Sequence, residues 1–167
     1  KINEYEKLYT NAFYEMYLDK GVPQYPDANS TMRLTYGTVG PVSPADGKFF
    51  DDKSTTAGIL EKYDPTDYEF HINDRQLQLL KGRDWGKWID KDGSMHVNFI
   101  SNNDITGGNS GSPVMNAKGE LVGLAFDGNK ESLCGDSYFH PEYNKCVNVD
   151  IRYVVWILDK YAGMNYL

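Results

Sequence analysis

The sequence predicts a mainly β domain with one helix at each end. Three observations lead to this. The middle of the chain holds short alternating or β-branched segments separated by turn signals. Residues 2–18 carry apolar positions at three- and four-residue spacing, and a second such stripe runs from Ile151 to Ala162. The expected division is a helical segment and connector over 1–29 and a β-rich body with a C-terminal helix over 30–167.

In order, the first stripe is Ile2, Tyr5, Leu8, Tyr9, Ala12, Phe13, Met16 and Tyr17, with charged or amide residues between. It predicts an amphipathic helix that offers an aromatic packing face and stops at Gly21 and Pro23. After a Pro- and Asn-containing connector, residues 32–39 alternate and read as a strand. Residues 40–52 read as a polar loop, and Ser54-Thr55-Thr56 as the cap of a short helix that Pro65 closes. Tyr68 to Ile72 reads as a short strand or extended segment, and Asp74 as the cap of a helical turn through Leu80 to Gly82. Asp92-Gly93 signals a turn before a strand at 95–100. Residues 114–116 and 121–126 flank the turn Ala117-Lys118-Gly119-Glu120 and predict a buried hairpin. A long loop then leads to a strand at 146–149, and Asp150 caps the last helix, which Gly163 ends.

One stretch between the strand at 95–100 and that hairpin stands out: Gly107-Gly108-Asn109-Ser110-Gly111-Ser112-Pro113. Small residues on both sides let the backbone turn sharply and expose amide hydrogens around a serine, which is what a nucleophile with an oxyanion hole requires. Such composition also occurs in ordinary turns, but a flexible linker would not lead straight into an apolar strand pair.

The 167 residues are 40% hydrophobic and 14% aromatic, enough for one domain with a real core. A formal charge of -7 with scattered Lys and Arg argues against nucleic acid or an anionic membrane as partner. No apolar run approaches the length of a membrane span. The first residues carry neither an initiator Met nor a signal peptide, so the chain reads as a piece of a longer protein. Metal-ligand spacings and phosphate-loop endings are lacking, which gives no support for a metal or cofactor. Cys134 and Cys146 bracket a polar loop. A disulfide there would contribute up to about 3 kcal/mol in an oxidising compartment, and two unpaired thiols are the alternative. The three histidines, His71, His96 and His140, offer candidate bases, the first two in strand-like segments.

Three longer stretches carry a resemblance: Asn103 through Val114, Gly123 through Asn129, and Val149 through Val154. They resemble the bacterial dipeptidyl-peptidases of serine peptidase family 46, and in particular the C-terminal part of an enzyme of the dipeptidyl-peptidase 7 type. The similarity runs from about Met32 to the end. The resemblance implies the second β-barrel of a chymotrypsin-like double barrel, with the opening helix as a remnant of an inserted helical domain. It implies an activity that removes dipeptides from free peptide N-termini, outside the cytoplasm, in the periplasm or at the cell surface.

Residue by residue, the family's nucleophile falls on Ser110 and its oxyanion donors on Gly108 and Ser110. Its ligands for the substrate's terminal ammonium fall on the Phe126 carbonyl and the Asp127 carboxylate. Acid-preferring relatives carry an arginine where this chain has Gly128, so an uncharged pocket and a hydrophobic residue before the scissile bond are expected here. Asp127-Gly128 also reads as a plain hairpin turn. The family's catalytic histidine and aspartate lie in a first barrel outside these residues, and none of the three histidines matches. The peptide substrate and that missing barrel are therefore the implied partners, with a homodimer as a candidate assembly, and the chain alone is expected to be inactive. Asn109 stands where trypsin-like zymogens carry an aspartate that pairs with a newly cut N-terminus, so no activation of that kind is expected. Two other readings stay open: a non-catalytic peptide-binding module, and a self-contained serine hydrolase using His71 or His96.

Overall fold

The computed structural model describes residues 2–22, 24–25, 29–133, 135 and 139–166. Among these residues are two antiparallel sheets and four α-helices. Helix α1 (Ile2–Asp19) forms where the stripe predicts it, and Gly21 takes a positive φ of 68° at its end. Its aromatic face is not buried against the β-rich body, however. No residue of α1 is buried, and Tyr9, Phe13 and Tyr17 meet at a tilt along the helix instead, with ring centroids 4.5 and 5.8 Å apart.

The expected strand at 32–39 is not one. The segment is extended, but it bonds mainly through side chains to the loop beyond Ser101, and a single bridge joins Val39 to Ser101. Residues 40–52, expected as a loop, fold into the hairpin β1 (Val42–Ala45) and β2 (Lys48–Phe50). Only Val42 is buried in that hairpin, so its sequence carries little alternation to read. The main sheet has the order β3-β4-β7-β6-β5: β3 (Lys53–Thr55), β4 (His96–Ser101), β5 (Pro113–Met115), β6 (Leu121–Gly128) and β7 (Cys146–Asp150). Strand β3 is three polar residues, recognisable only through its pairing with β4. The predicted hairpin is β5 with β6, where Val114 faces Gly123, but it is not buried as expected: Pro113, Met115 and Leu121 are exposed, because β5 is the edge strand of the sheet.

Thr55 caps α2 (Thr56–Lys62) by accepting from the Ala57 amide at 3.3 Å. Helix α3 (Asp74–Gly82) is capped one residue earlier than expected, because the Asn73 carboxamide accepts from Gln76 at 2.9 Å. Asp150 caps α4 (Ile151–Trp156), which continues as a π-helical turn to Tyr161. Tyr68 to Ile72 is not a strand. Asp64 and Asp67 fold their side chains onto the Thr66 and Glu69 amides and close successive turns there. Leu80, Met95 and Trp156 are fully buried with Ile72 and Trp85, where α3 meets α4 against the start of β4. Trp85 and Trp156 meet edge to face at 5.3 Å.

An ionic cluster ties α4 to the sheet at the end of β4 remote from the serine. His96 lies between the carboxylates of Asp90 and Asp92, each 2.9 Å from a ring nitrogen, and Arg152 bridges Asp90 and Asp150 at 2.8 and 2.7 Å. Hydrogen bonds from Ser94 and then His96 hold the Asp92 carboxyl far below its ordinary value of 3.8. Stability from this carboxylate is therefore complete above that value and lost as the pH falls below it. Asp92→Asn is expected to lower Tm at pH 6, with a gap that closes as the pH falls below about 4. A gap unchanged between these conditions would remove the cluster's role.

Candidate active site

Strand β4 ends at Ser101 and delivers the loop that carries Ser110. Asn109 donates its amide to Thr106 O at 3.1 Å and Ser112 to Asn109 O at 2.9 Å, so two tight turns follow each other around the serine. Gly108 and Gly111 take φ values of +98° and +84°, which a side chain would strain. The loop is then clamped to β6: Gly111 donates to Ala125 O at 2.7 Å and Ala125 to Ser112 O at 2.8 Å. Ser110 is exposed, and its Oγ donates to Phe126 O at 3.2 Å. The amides of Gly108 and Ser110 donate to no described residue. A serine hydroxyl with two undirected backbone donors beside it can bind an oxyanion formed at its own point of attack.

Phe126 is exposed because β6 bulges there. Ala125 pairs with Asn148 and Asp127 with Val147, so Phe126 is the extra residue and its carbonyl turns toward Ser110. Asp127 is exposed too, with Oδ1 accepting from the Gly128 amide at 2.8 Å. Asp127 and Gly128 do not form the hairpin turn that was the plain alternative. They are the last two residues of β6, paired with Val147 and Cys146, and Gly128 is not among the positive-φ residues. A Cβ at Gly128 would press on the Ser132 hydroxyl and approach Ile105. Beyond them lies a small cleft between Asn103–Ile105 and Ser132, Phe139 and Lys145. Asn129 closes its rim by exchanging bonds of 2.8 to 2.9 Å with Tyr143 and Lys145.

A buried polar chain supports this loop from below. Asn148, fully buried, donates to Ser101 Oγ at 2.8 Å, and Ser101 donates to Asn103 Oδ1 at 2.6 Å. The Cys146 thiol donates to Asn148 Oδ1 at 3.2 Å, and burial pushes its pKa up to about 11. Cys146 is a free thiol, and Cys134, the other half of the possible disulfide, lies outside the described residues. Asn148→Ala leaves Ser101 and Cys146 without that partner in a dry site. It is expected to cost about 1–3 kcal/mol, read as a lower urea midpoint; an unchanged midpoint would show the chain to be dispensable.

None of the histidines is bonded to Ser110. His96 is buried with both ring nitrogens against carboxylates. It sits three residues along β4 and two strands across from the serine level, roughly 10 Å in each direction at about 3.3 Å per residue and 4.8 Å per strand. His71 is exposed before α3, and His140 stacks on Tyr143 at 4.6 Å.

A residue beside the serine loop that the sequence reading passed over is Arg33. It forms a close ion pair with Asp104 and donates to Asn109 Oδ1 at 3.1 Å. A lone arginine in an alternating segment gives no local hint of a partner more than seventy residues away.

The family model described as Peptidase S46 matches residues 1–167. The chain is 51% identical over 147 residues to the Dipeptidyl-peptidase 7 of Capnocytophaga gingivalis, covering 86% of this chain and 20% of that protein. It is 45% identical over 149 residues to an Asp/Glu-specific dipeptidyl-peptidase of Porphyromonas endodontalis, covering 89% and 21%. The crystal structure of Porphyromonas endodontalis DPP11 in complex with the dipeptide Arg-Glu superposes with a TM-score of 0.81 at 44% identity, covering 84% of this chain and 20% of that one. The chain thus spans about a fifth of the length of these relatives. With a serine loop of this geometry and a family match along its whole length, the chain belongs to the peptidase S46 family.

Proposed function

We propose that these residues form the C-terminal part of a serine dipeptidyl-peptidase and supply its nucleophile, oxyanion hole and specificity wall. The observation that carries the reading is Ser110, exposed on a clamped turn with the Gly108 and Ser110 amides undirected. In this reading Ser110 Oγ attacks the second carbonyl of the peptide, and the two amides stabilise the resulting oxyanion. The general base and its carboxylate come from a first barrel in the rest of the protein, and the main sheet is part of a second barrel of chymotrypsin type. Residues 1–29 join it to a helical domain. The exposed row Met32, Leu34 and Tyr36 supports a further covering segment, since such a run of large apolar side chains is unusual on a finished surface.

The bulge at Phe126 supports the two-residue count. Its carbonyl and the Asp127 carboxylate together suit an ammonium group, and two extended residues span roughly 7 Å. Asp104 and Lys145 line the same cleft, but Gly128 and Ile105 add no charge to the wall nearest Asp127, which favours a hydrophobic residue before the scissile bond. The setting is periplasmic or at the cell surface; no helix among the described residues is long and apolar enough to cross a membrane.

The test is hydrolysis of fluorogenic dipeptides by the full-length protein, with hydrophobic or acidic second residues and with free or acetylated N-termini. Free-amine hydrophobic substrates are expected to be cleaved best. Preference for acidic residues would overturn the specificity, and equal cleavage of acetylated substrates would overturn the dipeptide count.

A further inference from the structure

We infer that Arg33 is a positioning residue for the serine loop: its guanidinium spans Asp104 and Asn109 and thereby fixes the turn that presents Ser110 and the Gly108 amide. The inference rests on Ser110 being the nucleophile.

Arg33 is held where it can do this by the segment that follows it. Asn102 donates its amide to Thr38 O at 3.1 Å, and Thr38 donates to Asn102 Oδ1 at 2.7 Å. Thr35 Oγ1 donates to Asp104 O at 3.0 Å, and Gly40 donates to Ile100 O at 3.3 Å. Gly37 makes the approach possible, because a Cβ there would lie 2.6 Å from the Asn103 amide nitrogen. The extended segment is therefore strapped along the loop that leads to the serine.

The Arg33 and Asp104 side chains are only 12% and 10% exposed, so their ion pair is shielded from water. The Tyr25 ring flanks the guanidinium, 5.8 Å from centroid to Cζ, and Phe139 meets Tyr25 edge-on at 5.1 Å. On the other side the same guanidinium reaches Asn109 Oδ1, which also accepts the Thr106 amide at 2.9 Å. Asn109 immediately precedes Ser110. Its side chain is thus pinned inward by one backbone donor and one cationic donor while its own backbone closes the turn.

Removing the guanidinium would leave the Asp104 carboxylate shielded without this cation and leave Asn109 held on one side only. Lysine cannot replace it, because one ammonium lacks the planar fork that reaches two acceptors in different directions.

The experiment compares the full-length protein with its Arg33→Ala, Arg33→Lys and Ser110→Ala variants by kcat and KM on a free-amine fluorogenic dipeptide, with thermal unfolding as the folding control. Both arginine variants are expected to lose about 100-fold in kcat, the effect of losing one oxyanion donor. KM should stay within about threefold, as for an interaction that matters mainly in the transition state. Millimolar guanidinium should restore part of the Arg33→Ala activity. If Arg33→Ala does not fold, Arg33→Lys carries the test. A folded variant with kcat within about threefold of the parent, or a loss confined to KM, overturns the inference. An active Ser110→Ala protein would instead sink the nucleophile assignment, so the two failures are distinguishable.

Discussion

Ser110→Ala in the full-length protein is expected to lower kcat on free-amine dipeptide substrates by on the order of 10⁶, the loss seen when a serine peptidase triad is deprived of its nucleophile. Alanine keeps the backbone amide at position 110, so the two oxyanion donors survive and substrate binding should change little. The variant should also be inert to fluorophosphonate labelling. The Ser110 Oγ contact to Phe126 O is a single exposed hydrogen bond, so its loss should scarcely affect folding. A variant retaining kcat within about tenfold of the parent would mean that another group attacks the peptide.

The second large effect is expected at Asp127. If this carboxylate holds the substrate's ammonium, removing it leaves a cation without its partner as water is excluded, at a cost of about 2–5 kcal/mol. That corresponds to roughly 30- to 5,000-fold in kcat/KM. Because Asp127 Oδ1 also accepts the Gly128 amide, Asp127→Ala alone would mix charge with loop geometry. Asp127→Asn keeps an acceptor for that amide and removes the charge, so it should lose nearly as much activity. Acetylated substrates, which bring no ammonium, should be affected little by Asp127→Asn. Full activity in Asp127→Asn would move the amine-binding role to other residues.

These effects converge on one sheet edge because of a bulge that the sequence does not announce. Read linearly, Phe126-Asp127-Gly128 could end a strand in a turn. The ladder with β7 instead continues to Cys146 and absorbs Phe126 as an extra residue. That register shift turns the Phe126 carbonyl toward Ser110 and leaves Asp127 exposed beside it. Cross-strand register depends on residues twenty positions apart, which a local pattern does not contain.

Elements with a strong local signal were legible. The helix over 2–18, the hairpin across Ala117-Lys118-Gly119-Glu120, the strands beginning near Met95 and at Cys146, and the Asp150 cap all stand where period, turn and cap residues place them. Elements defined by a partner were not. Strand β3 is polar and exists by pairing with β4, and the hairpin of β1 and β2 buries only Val42. The segment at 32–39 alternates like a strand, yet it is held by Thr35, Thr38 and Arg33 against a loop. The turns at 64–70 form because aspartate side chains compete successfully for backbone amides.

The sequence by itself determined the serine between glycines, the β-rich middle and the end helices, because small residues, alternation and helical stripes act within a few positions of themselves. It also carried the family, in contiguous motifs. Only the tertiary structure decided that His96 belongs to an ionic cluster remote from Ser110, that Phe126 is a bulge facing the serine, and that Arg33 braces Asn109. Each of those facts is a contact between residues distant in the chain, fixed by sheet register and by the need to give buried polar groups partners.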